Sequence, residues 1–217
     1  MNSSANKTIH LAVASDNKTL QKRIHDAASA KQNISRVSHY AFAQLSQGLP
    51  NTDLPDVLIL HYEPTRHDNI ITMLNNLRQR FPNLALGLLA ERIGAFALQE
   101  ALQFHVNGIV SGPTIVHDLI SGLSLIHSGG LYLSAEAAER FETSRQLHKS
   151  GLKQIHKEVI TTLVAYPHAG SRDVAEKLQI STSKLSRCIG RASKLLAAPG
   201  GRMALVMQAL RLGLVEV

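Results

Sequence analysis

Across residues 1 to 130, short apolar runs alternate five times with segments whose apolar residues recur every three or four positions. Parallel strands must be joined by crossovers, normally helices, so this alternation restricts the segment to a five-stranded parallel sheet covered by helices on both faces. The runs are Ile9 to Ala14, Ile34 to Val37, Val57 to Leu60, Leu84 to Leu89 and Gly108 to Val110. Between them, Leu20, Ile24 and Ala28 share one helical face, and Phe42 with Leu45 marks a short helix. Ile70, Leu74, Leu77 and Phe81 mark a longer one that Pro82 forbids from continuing, and Ala95 to Phe104 supplies a fourth. A fifth helix, opened by Thr114 as N-cap, buries Val116, Leu119, Ile120, Leu123 and Ile126 before Gly129 and Gly130 stop it. Residues 131 to 150 are polar after the first few, show no sheet-like run, and read as a partly helical linker.

Residues 151 to 217 form a second domain with helical periods only. Ile155, Val159, Leu163 and Val164 lie on one side of a helix that Pro167 ends. SRDVAEKL follows, with Ser171 as its cap and Val174, Ala175 and Leu178 facing inward; Gln179, Ile180 and Ser181 then make a tight connection. Ser181 can cap a third helix running to about Leu196. On that helix Lys184, Arg187, Arg191 and Lys194 fall within about 80° of one another at 100° per residue, while Leu185, Ile189, Ala192, Leu195 and Leu196 cluster on a different side. It carries four cations and no acid.

A helix seated in the major groove of double-stranded DNA must anchor an apolar face on its own domain and present donors to bases and phosphates on the other. Arginine can make bidentate bonds to guanine, lysine mainly neutralises phosphate, and Ser183 and Ser186 stand beside the row. A basic face by itself would serve equally as a solvated surface. The short helix and turn before it favour DNA, and so does the charge distribution. Of the net +7, residues 1 to 150 hold 13 Lys+Arg against 12 Asp+Glu, whereas residues 151 to 217 hold 10 against 4.

Several function classes are excluded by what the sequence lacks. With 44% apolar residues the chain can fill a core, yet it shows neither a run of about eighteen apolar residues nor a basic start followed by a long apolar stretch. The expectation is a cytoplasmic protein without membrane contact. A single cysteine, Cys188, precludes an internal disulfide and reads as a small buried hydrophobe; Arg187 and Arg191 would activate it as an oxidant sensor only if close. No Walker-type loop, Gly-x-Ser-x-Gly or His-Glu-x-x-His occurs, and the eleven histidines show no helix-borne metal pair. No catalytic residue, metal or cofactor is therefore expected.

The stretch LKQIHKEVITTLV, followed by SRDVAEKLQISTSKLSRCIGRASKLLAAPGGRMALVMQALRLGLV, resembles the four-helix output domain of LuxR/NarL-type response regulators. The match covers about sixty residues, with Gln179 standing where the family's turn has a small residue. The resemblance implies that the third helix enters the major groove and that the fourth, Met203 to Leu212, helps pair two such domains. PDVLILHYEP, ALQFHVNGIV and LIHSGGLYLS resemble the receiver domain of the same regulators. That implies a flavodoxin-like receiver fold over residues 1 to 130, a linker over 131 to 150 and a LuxR-type helix-turn-helix over 151 to 217.

Receiver domains accept a phosphoryl group on a strand-end aspartate, helped by an acidic pair holding magnesium, a Ser/Thr and a lysine. Placed by position, the acceptor becomes His61, or Leu60 if the alignment follows Pro64; the acidic pair becomes Ser15 and Asp16, the hydroxyl Leu89, and the lysine Ser111 or Gly112. Asp16 alone supplies too little charge to concentrate magnesium, and Glu63 lies near the acceptor position, where it could donate a second carboxylate. The leading expectation is an atypical, phosphorylation-independent regulator of transcription that acts as a homodimer on two half-sites. Two alternatives stay open: a regulator sensing a small ligand in the degenerate pocket or a dimer groove, and an adaptor that binds a regulatory protein through a helix-turn-helix without DNA affinity.

Overall fold

The structure is a computed structural model and describes residues 8 to 47, 49, 53 to 149 and 151 to 216. The first seven residues lie outside the described residues. The chain divides into two units, residues 1–92 with 100–138 and residues 93–99 with 139–217.

The first unit is a six-stranded parallel sheet in the order β2-β1-β3-β4-β5-β6. Its strands are β1 (Ile9–Ala14), β2 (Ile34–Tyr40), β3 (Val57–His61), β4 (Ala85–Ala90), β5 (Gly108–Ser111) and β6 (Tyr132–Leu133). The connecting helices are α1 (Lys18–Ser29), α2 (Phe42–Gln47), α3 (His67–Arg80), α4 (Ala95–Gln103) and α5 (Ile115–His127), with a 3-10 turn at Pro64–Arg66. β1, β3 and β4 lie in the middle of the sheet and are almost wholly buried. Parallel strands covered on both faces read as continuous apolar runs. Leu11, Val13, Ile24, Ile59, Leu119 and Leu123 belong to one core at 0 to 1% exposure.

The parallel α/β architecture followed by helices is as the sequence predicts, with one strand more. Tyr132–Leu133, in the segment read as linker, pairs with β5 from Gly108↔Tyr132 to Ile109↔Leu133. Ser134 extends the pairing through its side chain: its Oγ accepts from Ser111 N (2.9 Å) and donates to Ser111 O (2.8 Å). The rest of the linker is a 15-residue helix, α6 (Ala135–Lys149). Thr114 precedes α5 without a side-chain bond to its backbone; its hydroxyl donates instead to Asp118 Oδ2 at 2.8 Å.

The second unit holds α6, α7 (Gln154–Ala165), α8 (Ser171–Lys177), α9 (Thr182–Leu195) and α10 (Gly201–Arg211), together with residues 93 to 99. Val159, Leu163, Val174, Leu185, Ala192 and Leu205 are at 0 to 1% exposure in its core, and Cys188 is buried and free among them. Gly170, not Ser171, is the N-cap of α8: its extended backbone precedes the helix, and its N–H donates to Asp173 Oδ2 at 3.0 Å. The acid three residues on satisfies the cap's own amide, the reciprocal half of a capping box, where a serine hydroxyl would have accepted from an amide inside the helix. Arg202 ties α10 to the end of α7 by donating to Ala169 O (2.5 Å) and Tyr166 O (2.8 Å).

Candidate functional site

α9 is placed by its N-terminal turn. Ser181 is extended, with ψ 152, and its Oγ accepts from Lys184 N at 3.2 Å, which satisfies one of the four amides a helix start leaves open. Two residues earlier Gln179 takes φ +53, a left-handed conformation that costs a residue with a Cβ about 1–2 kcal/mol. The connection therefore holds a residue where glycine would fit more easily. Leu185, Cys188 and Ala192 turn into the core, which fixes the rotation of the helix about its axis.

That rotation leaves Ser183, Lys184, Ser186, Arg187, Arg191 and Lys194 all exposed. Among the described residues, none of the four cationic side chains forms an ion pair or a hydrogen bond. Their charge is therefore not quenched by the domain's own acids. Arg191 acts inward only through its field: together with burial, the leading cause, and with Lys153 it holds the His156 imidazole below the usual histidine range. His156 Nδ1 accepts from Lys153 N at 3.0 Å, a bond that needs that nitrogen unprotonated.

At the carboxyl ends of β1 and β3 stand the residues expected to line a degenerate acceptor pocket. Ser15 (0% exposed) and His61 (4%) are buried against one another, with Ser15 Oγ 3.0 Å from His61 Nδ1. Burial keeps His61 below its ordinary pKa despite Glu63, Glu91 and Asp16 nearby. Leu89 is fully buried beside it, opposite His61 in the β3–β4 register, and the alternative acceptor position, Leu60, is buried too. Ser111 ends β5, buried, and Gly112 follows with φ +114.

Asp16 is half-exposed and clamped by a residue to which sequence reading assigned no role. Arg66 Nη1 donates to Asp16 Oδ2 at 2.5 Å, while its Nε lies 3.2 Å from Glu63 Oε2. The guanidinium also sits 5.3 Å above the Phe42 ring, and Phe42 N donates to Asp16 Oδ1 at 3.3 Å. The bond to Arg66 is the main reason Asp16 lies below the usual carboxylate range. Arg66 follows Glu63 at a spacing that a turn can bring together, but its reach to Asp16 leaves no trace in local sequence.

This donor set does not fit magnesium. Asp16 and Glu63 are committed to one guanidinium, which already supplies the positive charge, and besides Glu91 the remaining groups are a buried imidazole, a serine and a leucine. Among the described residues no cluster of three or more His, Cys, Asp or Glu side chains could hold a metal ion. Nor do Ser15, His61 and Glu63 form a nucleophile relay. Ser15 and Glu63 both approach Nδ1, at 3.0 and 3.7 Å, whereas a relay uses both ring nitrogens.

No family model matches the chain, and no curated protein sequence matches it. Solved structures do match. The two-component response regulator RcsB in its complex with DNA is 18% identical, with 93% of this chain and 97% of that one covered at a TM-score of 0.64. RcsB from Salmonella enterica serovar Typhimurium, bound to promoter rprA in the presence of the phosphomimetic BeF3-, is 19% identical over 93% and 98% at 0.62. The isolated REC domain of the same protein in the apo form is 20% identical and covers 62% of this chain and 99% of its own, at 0.54. Such identities establish a shared fold, a parallel α/β unit followed by a helical one. Among the described residues no helix is long and apolar enough to cross a membrane.

Proposed function

We propose that this chain is a DNA-binding regulator of transcription, akin to the LuxR/NarL-type response regulators, with its domains at residues 1 to 130 and 151 to 217. The observation that carries the reading is the cationic row of α9, anchored from behind by Leu185, Cys188 and Ala192 and, among the described residues, without ion pairs or side-chain hydrogen bonds on its outer side. Arg187 and Arg191 read or grip base edges, Lys184 and Lys194 neutralise phosphates, and Ser183 and Ser186 contact the backbone between them. RcsB, of the same fold, has been solved on DNA. The reading is of a protein in the cytoplasm without enzymatic activity.

Regulation does not pass through aspartyl phosphorylation in this reading. A buried histidine stands at the acceptor position, a leucine at the hydroxyl position, and an arginine holds the acidic side. What remains for the α/β unit is to pair subunits. α10 contributes as well: Met203 (50% exposed) and Met207 (61%) lie one turn apart on its outer face. A two-fold dimer would then offer two α9 helices to half-sites about 34 Å apart.

The test is a mobility shift on genomic fragments recovered with the intact chain. Arg187→Ala with Arg191→Ala should abolish the shift without lowering thermal stability, and acetyl phosphate or beryllofluoride should leave it unchanged. Equal binding by the double variant would remove the role of α9. A clear response to beryllofluoride would remove phosphorylation independence alone. Recovery of a stable protein partner with no enriched DNA would favour the adaptor instead.

A further inference from the structure

A cleft of about 610 Å³ opens between α2 and α3 of the α/β unit. α2 has 6 residues and α3 has 14, so at 1.5 Å per residue they span about 9 and 21 Å, and among the described residues α3 runs beyond α2. Leu45, Ile70 and Leu77 are buried at its base, with Phe42 and Met73 half-buried on its walls.

The charged residues that line it are both arginines, Arg66 and Arg80, with no carboxylate among the lining residues. They are not equivalent. Arg66 is held by Asp16 and Glu63, so its charge is already met inside the protein. Arg80 is exposed and forms no ion pair among the described residues; its guanidinium stands 5.4 Å from the Phe81 ring. Asn76, one turn before Arg80 on the same face of α3, adds a neutral donor and acceptor at the rim.

We propose that this cleft binds a small amphipathic organic carboxylate, its apolar body on Leu45, Ile70, Met73 and Leu77 and its single negative charge at Arg80. A pocket of this volume, with an apolar base and polar side chains along its rim, is a usual form of a small-molecule site. One unpaired guanidinium selects a monoanion, and its planar fork favours a carboxylate. A polyanion would find no second free cation here, since Arg66 is engaged. The site is separate from the α9 surface and needs no DNA to be occupied.

Decanoate serves as the probe, titrated into the intact chain by calorimetry, and by displacement of anilinonaphthalene sulfonate where heats are small. Decan-1-ol is the uncharged comparison. Two exposed positions carry the variants, Arg80→Gln and Asn76→Trp, the second placing an indole across the mouth. Saturable binding of one decanoate per chain is expected, weakened about tenfold or more in Arg80→Gln, as loss of a charged hydrogen bond requires. Decan-1-ol should bind Arg80→Gln and the parent chain alike, and Asn76→Trp should bind neither probe. Absence of saturable decanoate binding, or equal affinity in the parent chain and Arg80→Gln, would overturn the proposal. Since no DNA is present, either result is read independently of the nucleic-acid proposal.

Discussion

Ser181 separates the stability of α9 from its proposed contact with DNA. Its hydroxyl accepts from Lys184 N at 3.2 Å and is the side-chain cap of that helix start. Replacing it with alanine removes the cap at a cost of about 1 kcal/mol. In a unit of this size that corresponds to a fall in melting temperature of roughly 4–8 °C. Aspartate caps as well as serine and adds a charge that the helix N-terminus favours, so Ser181→Asp should melt no lower than the parent. Its carboxylate, however, lies at the edge of a surface meant for phosphates, where like-charge juxtaposition costs several kcal/mol, so DNA affinity should drop about tenfold or more. The assay is a melt followed by circular dichroism, paired with fluorescence anisotropy on a labelled duplex at 20 °C. Ser181→Ala should be less stable yet bind DNA, and Ser181→Asp should be stable yet bind poorly. An unchanged melt for Ser181→Ala, or full DNA affinity for Ser181→Asp, would refute the placement of this helix start.

Three further outcomes follow from other parts of the structure. Gln179→Gly should stabilise the helical unit slightly: relief of about 1–2 kcal/mol of left-handed strain exceeds the about 0.4–1 kcal/mol lost to greater freedom of the unfolded chain, and a lower urea midpoint would contradict it. Burial depresses the pKa of His61 and His156, so the unfolded chain takes up protons first. Stability should therefore be full above about pH 6.5 and decline as pH falls below it, and a urea midpoint that rises between pH 7 and 6 would reverse the sign. Arg66→Ala should let Asp16 titrate closer to an ordinary carboxylate, followed by carboxyl NMR, while costing less than about 1 kcal/mol because the pair is partly exposed; an unmoved Asp16 titration would show that the arginine does not hold it.

What could be read in advance follows from the range over which each feature is written. α9 was legible because its apolar anchor and its cations each repeat over four turns, and the apolar runs of β1, β3 and β4 were legible because a strand buried on both faces must be apolar throughout. β6 was not, since two residues cannot display a period and Tyr132 and Leu133 gain their pairing from β5. The cap of α8 falls one residue before the expected serine, because Gly170 takes the extended cap position and Asp173 reaches back to its amide. The expectation of a degenerate pocket rests on what the sequence lacks. Its dominant charge, Arg66, could not be found that way, because Asp16 lies 50 positions earlier in the chain and only folding brings the two together. The α2–α3 cleft is likewise assembled by folding, from residues that form no motif in sequence.

The central claim is that α9 presents free cations to a nucleic-acid backbone, and the most direct measurement is the affinity of the intact chain for a duplex of arbitrary sequence as salt rises from 50 to 200 mM. Lys184 and Lys194 on the two helices of a dimer neutralise four phosphates, which predicts a log–log slope of about −3.6, or roughly a hundredfold loss over that range, and binding should be lost when Arg187 and Arg191 are both alanine. Absence of binding at 50 mM, or an affinity indifferent to salt, would contradict the account.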